Sequence, residues 1–252
     1  GGSSGHGCMR GRFTEAFIRI ALPMLRVGGL TPLSTSDWPG KLAAVVFCQG
    51  CPWRCGYCHN SDLIPARGDS EIPWEDVLAF LRRRQGLLDG VVFSGGEPTL
   101  QAALPDAMRE VRALGFKIGL HTGGMYPKKL DAVLPLVDWV GLDVKAPFAD
   151  YARITGADGS GAGALAGLQQ ILASGVDHEV RTTVHPALLS DAEVTAMAHD
   201  LAARGVKRYV IQAFRGQGCQ NADLCGSAVR TRPLQEVGKE LAGLFEDFAV
   251  RA

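Results

Sequence analysis

The 252-residue sequence has no charge imbalance, with 26 Lys and Arg against 26 Asp and Glu. Nucleic-acid binding draws on a basic surface that displaces counterions, so this balance offers no electrostatic case for such a partner. No apolar run approaches the ~20 residues that span a bilayer, and no secretory signal stands out at the start. Low complexity is missing too: 32 glycines and 13 prolines fall below the range of disordered chains. With 46% hydrophobic and 21% charged residues, the composition is that of a soluble globular protein. A disulfide framework is also absent. Secreted scaffolds are short and spread an even number of cysteines along their length, whereas here four of seven (Cys48, Cys51, Cys55, Cys58) crowd one loop. Clustered thiols point to a metal site in a reducing compartment, and the chain reads as cytoplasmic. Residues 1–26 read as an N-terminal extension: Gly1 to Gly7 look like a cloning scar, and Met9 to Arg26 is interrupted by Arg19 and Pro23. Residues 27–252 read as one domain, without repeat or linker.

What is present is alternation. Short apolar runs at Leu42–Phe47, Val91–Phe93, Lys117–Leu120, Trp139–Leu142, Val180–Val184 and Tyr209–Gln212 suit parallel strands buried on both faces. Val180–Val184 is the weakest, because it carries Arg181 and two threonines. Between the runs lie helical stretches at Pro73–Leu88, Leu100–Leu114, Pro127–Leu134, Gly161–Ala173, Asp191–Ala203 and Pro233–Phe248. Ser190 and Thr99 are placed as N-caps, and Gly115, Gly175 and Gly205 as helix ends. Strand–helix alternation implies a parallel α/β sheet with right-handed crossovers. Six units fall short of the ~250 residues of a full eight-fold barrel. The expected fold is therefore a partial (β/α)6 barrel with outer helices, open on one side, with a doubly wound sheet as the alternative.

Chemistry in such folds collects at the carboxyl ends of the strands. In order, those ends carry Cys48 to Asn60, then Ser94-Gly95-Gly96-Glu97-Pro98-Thr99, His121-Thr122-Gly123-Gly124, Asp143-Val144-Lys145, His185-Pro186, and Gln212 with Phe214 and Arg215. Nearly every chemically useful group thus falls on one face of one sheet. Cys51-x3-Cys55-x2-Cys58 places three thiols in a compact loop. Three thiolates on a four-iron cubane leave one iron open and reactive. A zinc site from Cys48-x2-Cys51 and Cys55-x2-Cys58 is the competing reading, weakened because only three residues separate the pairs. Cys48, at the end of a buried run, reads as an ordinary core cysteine.

The cysteine spacing with Tyr57 before the last thiol, followed by Gly95-Gly96-Glu97-Pro98 after the next strand, resembles the signature of the radical S-adenosylmethionine (SAM) superfamily. Within it the chain is similar to activating enzymes of glycyl radical enzymes, most of all those of anaerobic ribonucleoside-triphosphate reductases. That likeness is carried by Gly28-Gly29-Leu30, Asp37-Trp38-Pro39-Gly40-Lys41, Gln49-Gly50-Cys51, Cys58-His59-Asn60 and Lys145-Ala146-Pro147-Phe148. The resemblance implies that Cys51, Cys55 and Cys58 hold a 4Fe–4S cluster whose open iron binds S-adenosylmethionine. Reductive cleavage would give a 5′-deoxyadenosyl radical that takes hydrogen from a glycine of a partner enzyme, with a flavodoxin or ferredoxin as electron donor. It implies cofactor contacts from Tyr57, Gly95, Gly96, Glu97, Asp143 and Lys145. Thr122 and His185 join them as strand-end candidates; His121 is a weaker one. Some relatives carry a cofactor-contacting His where Arg215 stands here, which leaves Arg215 for the partner protein. Cys8, Cys219 and Cys225 read as free surface thiols. A radical SAM enzyme acting on a small molecule, such as a deazapurine synthase, is the alternative reading.

Overall fold

The computed structural model describes residues 24–227 and 232–251. The expected scar, most of the N-terminal extension and Cys8 lie outside those residues. Every apolar run forms a strand. β2 (Ala43–Cys48), β3 (Gly90–Gly95), β4 (Lys117–Thr122), β5 (Trp139–Asp143), β6 (Asp177–Val184) and β7 (Arg208–Ala213) are joined by two strands that periodicity did not reveal, β1 (Val27–Ser34) and β8 (Asp247–Arg251). β1 runs antiparallel to β2, and β2 to β8 are parallel in chain order. The six expected strand–helix units run from β2 to the helix at Leu234–Leu241, and the sheet adds a seventh parallel strand, β8, and one antiparallel edge, β1.

The strict order excludes the doubly wound alternative, whose strand order reverses at a switch point. Right-handed crossovers that always step the same way put every helix on one face, and the sheet curls with the other face inside. Contacts across that inner face show the curl: Arg181 on β6 reaches His121 on β4 and the carbonyl of Asp37 after β1, at 3.1 and 3.3 Å.

The helices are α1 (Trp74–Arg82), α2 (Leu104–Ala113), α3 (Pro127–Val133), α4 (Tyr151–Thr155), α5 (Ser160–Ser174), α6 (Asp191–Ala203), α7 (Ala222–Gly226) and α8 (Leu234–Leu241). α6 matches its expected limits because Ser190 and Glu193 form a reciprocal capping box. The cap expected at Thr99 belongs to Glu97 instead, whose side chain accepts from the Thr99 amide over a single 3-10 turn, and α2 begins only at Leu104. The expected helix Pro233–Phe248 stops at Leu241. Beyond Gly243, Phe248 and Val250 turn toward α8, where a β-carbon on Gly238 would lie 2.3 Å from Val250. The period there is two rather than 3.6, so the segment joins the sheet.

β6 explains its own weak signal. Val180 and Val184 face the helices, while Arg181 and Thr183 line the barrel interior, and Thr182 donates to the Val144 carbonyl at 2.8 Å and accepts from the Tyr209 hydroxyl at 2.8 Å. The main core fills the space between sheet and helices; a second, small core of Trp38, Ala43, Val45, Val92 and Trp139 sits inside the barrel. Trp38 stacks on Trp139 at 5.7 Å, and Gly119 makes room, since a β-carbon there would meet the Trp38 ring at 2.9 Å. The two rings plug one end of the barrel and leave the carboxyl ends of the strands open. Among the described residues, no helix is long and apolar enough to cross a membrane.

Candidate functional site

A cavity of about 420 Å³ opens at the carboxyl ends of the strands. Strand register brings its parts together. Cys48 pairs with Gly95, Thr122 with Leu142, Asp143 with Arg181, and Gln212 with both Thr183 and Arg251.

The cysteine loop leaves β2 and returns on itself. Gly50 and Cys51 amides donate to the Leu63 and Ile64 carbonyls at 2.8 and 3.1 Å, and Cys58 N donates to Cys55 O at 3.0 Å, a tight turn that sets two thiols on one side. Buried Gln49 holds the base of the loop by donating to the Asp62 and Pro65 carbonyls. Cys51, Cys55 and Cys58 are partly buried and line the cavity; Cys48 is fully buried in the main core and does not. Burial pushes the Cys51 thiol up to about 12 and raises Cys55 as well. Both thiols therefore hold their protons at neutral pH until a thiophilic metal displaces them. Among the described residues no three His, Cys, Asp or Glu side chains converge on a single-ion site; the three thiols line one wall of a wide cavity instead.

The Gly-Gly-Glu segment is bonded to the loop base: Gly96 N donates to Cys48 O at 3.0 Å and Glu97 N to Gly50 O at 2.9 Å. Gly95 takes φ +107, and a β-carbon on Gly96 would sit 2.3 Å from the Gly50 carbonyl oxygen. Glu97 is buried, and its carboxylate accepts from Thr99 N (3.0 Å), Thr99 Oγ1, Thr122 Oγ1 (2.8 Å) and Gly123 N (3.0 Å). It therefore binds the ends of β3 and β4 together, a role the sequence did not suggest. Burial raises its pKa against the pull of these donors.

Across the cavity, Lys145 Nζ lies 3.3 Å from Asp143 Oδ2. Burial alone would lower the ammonium, but Asp143, Tyr57 and Cys55 outweigh it and hold Lys145 well above its ordinary value. Burial would raise Asp143, but Lys145, Arg181 and His121 keep it low. Tyr151 fixes the segment by accepting from Lys145 N at 3.0 Å. Tyr57 lines the cavity with its hydroxyl buried and unpartnered.

His121 also lines the cavity. Its Nε2 lies 2.8 Å from the Asp37 carbonyl and 3.1 Å from Arg181 Nη1, and its Nδ1 lies 3.1 Å from Ser94 Oγ. Burial and the adjacent Arg181 lower its pKa to about 4. Between about pH 6.5 and 4 the unfolded chain therefore binds a proton that the native state refuses, and stability falls with pH through that window. From pH 7.5 to 5 the expected loss is about 2 kcal/mol, read from urea midpoints. His121→Gln removes that component; an unchanged slope would show that the imidazole is not held neutral.

His185 is corrected. It is buried but absent from the cavity lining: its Nε2 donates to Leu224 O at 2.8 Å, its Nδ1 accepts from Ala187 N, and its ring packs edge-on to Phe214. It ties the end of β6 to α7. His185→Ala is expected to cost about 2–4 kcal/mol of stability while leaving S-adenosylmethionine affinity, measured by equilibrium binding, within twofold.

Asp37, Trp53, Ser94, Arg181, Gln212 and Arg251 also line the cavity; Ser94 and Gln212 stand among the strand-end groups read from the sequence, but none of the six was assigned a role there. Arg181 left its trace as a charge inside an apolar run, and Arg251 left none. The Nε of Arg181 and both Nη1 and Nη2 of Arg251 converge on Glu179 at 2.8 to 2.9 Å.

The thiols are soft donors suited to iron–sulfur coordination, and the glycine cradle and the Asp143–Lys145 pair suit a small zwitterionic ligand beside them. Comparison with known proteins agrees. A family model described as the Radical SAM superfamily matches residues 45–208. A Methanocaldococcus jannaschii protein, whose name assigns it provisionally as a glycyl-radical enzyme activating enzyme, is 28% identical over 235 residues, covering 89% of this chain and 95% of that protein. The pyruvate formate-lyase-activating enzyme of Clostridium pasteurianum is 29% identical over 233 residues, covering 89% and 97%. Among solved structures, Streptococcus suis SuiB bound to S-adenosylmethionine superposes with a TM-score of 0.62 at 12% identity, covering 81% of this chain and 48% of SuiB, a likeness of fold.

Proposed function

This chain belongs to the radical SAM superfamily, whose members use a 4Fe–4S cluster and S-adenosylmethionine, and from that premise we propose that it is an activase that installs a glycyl radical on a partner enzyme. The observation that carries this reading is one cavity lined at once by Cys51, Cys55 and Cys58, by Gly95-Gly96-Glu97 and by Asp143 with Lys145. Bound there, the cluster and S-adenosylmethionine supply an electron and a carbon radical able to take hydrogen from a glycine Cα.

Cys51, Cys55 and Cys58 would hold the cluster as thiolates. Gly95 and Gly96 let backbone approach the ligand, and Glu97, with acceptor capacity left on Oε2, faces its ammonium. Lys145 would pair with the ligand's carboxylate, Asp143 would accept from its ribose hydroxyls, and Tyr57 would contact its adenine. Thr122 acts through Glu97, to which it donates. Trp53, packed edge-on to Tyr151 at 5.6 Å, helps to exclude water from a site where a radical must be protected.

The partner we assign is an anaerobic ribonucleoside-triphosphate reductase, with a flavodoxin or ferredoxin as electron donor. The sequence likeness alone supports that partner; the relatives named as activating enzymes along nearly their whole length support the activase reading. Electron paramagnetic resonance of the anaerobically reconstituted, reduced chain should show a 4Fe–4S signal that changes when S-adenosylmethionine is added. Mixing with candidate partners should then give a glycyl radical signal with the reductase and not with pyruvate formate-lyase. A signal with pyruvate formate-lyase alone would change the partner, and a tightly bound zinc without a cluster would overturn the reaction.

A further inference from the structure

Cys219 and Cys225 take no part in the proposed reaction, and the sequence reading left them as separate surface thiols. The fold brings them together. After β7 the chain turns so that Cys219 N donates to Gly216 O at 3.1 Å. α7 then carries Cys225 back until its sulfur lies 3.7 Å from the Cys219 carbonyl and 3.8 Å from that of Gly216. Desolvation and the adjacent Cys219 side chain raise the Cys225 thiol above its ordinary value. Cys225 packs against Gly216, where a β-carbon would lie an ordinary 3.5 Å from its sulfur.

The pair rides on a strap across the cysteine loop. Cys219 Sγ donates to Gly56 O at 3.7 Å, between Cys55 and Cys58. Gln220 Nε2 donates to Asp62 Oδ1 at 2.8 Å, and the His59 ring stacks on Phe214 at 5.4 Å. A β-carbon on Gly218 would lie 2.4 Å from the His59 carbonyl oxygen. The strap therefore lies directly on the loop.

We propose that Cys219 and Cys225 form a reversible disulfide, on the strap over the cysteine loop, by exchange with a glutathione- or thioredoxin-class disulfide. Cys225 is exposed and Cys219 partly buried, which sets the order of events. The Cys225 thiolate attacks the incoming disulfide and expels one thiolate, leaving a mixed disulfide. The Cys219 thiolate then attacks the Cys225 sulfur and expels the second. The two cysteines give up two protons and two electrons, and the incoming disulfide leaves as two thiols. Oxidation removes the Cys219 proton, and with it the donor to Gly56 O, one of the contacts between the strap and the loop.

The full chain, reconstituted anaerobically with iron and sulfide, is equilibrated in glutathione buffers of graded potential, quenched with an alkylating agent and digested with trypsin. Cleavage after Arg215 and Arg230 leaves both cysteines on one peptide, residues 216–230. With rising potential that peptide should lose two hydrogens in mass and both alkyl groups, and regain them on reduction. Cys219→Ser should accumulate a glutathione adduct at Cys225 for want of a resolving thiol, while Cys225→Ser should not accumulate one at Cys219. A peptide that stays doubly alkylated throughout, a stable adduct in the wild type, or equal adducts in the two variants would each overturn the proposal. These masses report sulfur chemistry at 219 and 225 whether or not the chain cleaves S-adenosylmethionine.

Discussion

Cys55→Ala is expected to abolish reductive cleavage of S-adenosylmethionine. Three thiols line the cavity, and a cubane with one open iron needs all three protein ligands. The substitution spares the backbone that shapes the loop, because the Cys58 N to Cys55 O hydrogen bond is independent of side chain. The variant should therefore fold with a melting temperature near that of the wild type, bind little iron after reconstitution and form no 5′-deoxyadenosine. Cys48→Ala is the matched control. Its thiol lies in the main core, outside the cavity, so the change should cost about 1 kcal/mol and leave both iron content and cleavage intact. Continued 5′-deoxyadenosine production by Cys55→Ala would remove Cys55 from the ligand set, and loss of the cluster in Cys48→Ala would add Cys48 to it.

Gly96→Ala is the second large effect, and it acts through one methyl group. The new carbon would stand 2.3 Å from Gly50 O and 2.8 Å from Gly50 C. Neither is the tip of a flexible side chain, so either β3 or the base of the cysteine loop must move by about 1 Å, a scale at which bound geometry is lost. The Glu97 N to Gly50 O bond spans the same contact, and its loss would shift the carboxylate that joins β3 to β4. S-adenosylmethionine affinity should fall at least about tenfold, with a stability loss of about 1–3 kcal/mol. Gly29→Ala in β1 provides the comparison: its nearest neighbours would be Phe47 side-chain atoms at 3.6 Å or more, an ordinary contact, and both quantities should stay near wild type. Equal effects from the two variants would mean that the close approach at Gly96 is not what the site depends on.

These variants separate what was legible in the chain from what was not. The apolar runs from Ala43 to Ala213 were readable because strands buried on both faces need continuous hydrophobicity over a few residues. α6 was readable to the residue because Ser190 and Glu193 are local in sequence. β1 was hidden by its glycines and its partly exposed pattern. β8 was hidden because Phe248 and Val250 lie two apart at the end of a helical pattern, and only packing on α8 decides which period applies. Thr99 was misread as a cap for a related reason: the carboxylate of Glu97, two residues earlier, competes better for the same amide.

The sequence by itself determined the chemistry on offer, because the spacing of Cys51, Cys55 and Cys58, and the alternation that places Gly95-Gly96-Glu97 and Asp143 with Lys145 at strand ends, are one-dimensional properties. Which other groups share that cavity was decided only in three dimensions. Curling the sheet carries Arg181 to His121 and Asp37, and Arg251 to Glu179, across separations of 60, 144 and 72 residues. The same packing withdraws His185 from the cavity and sets Cys219 beside Cys225 over the cysteine loop. Local spacing fixes what a segment can bind; the closing of a curved sheet, driven by burial of its helix-facing surface, fixes which segments meet.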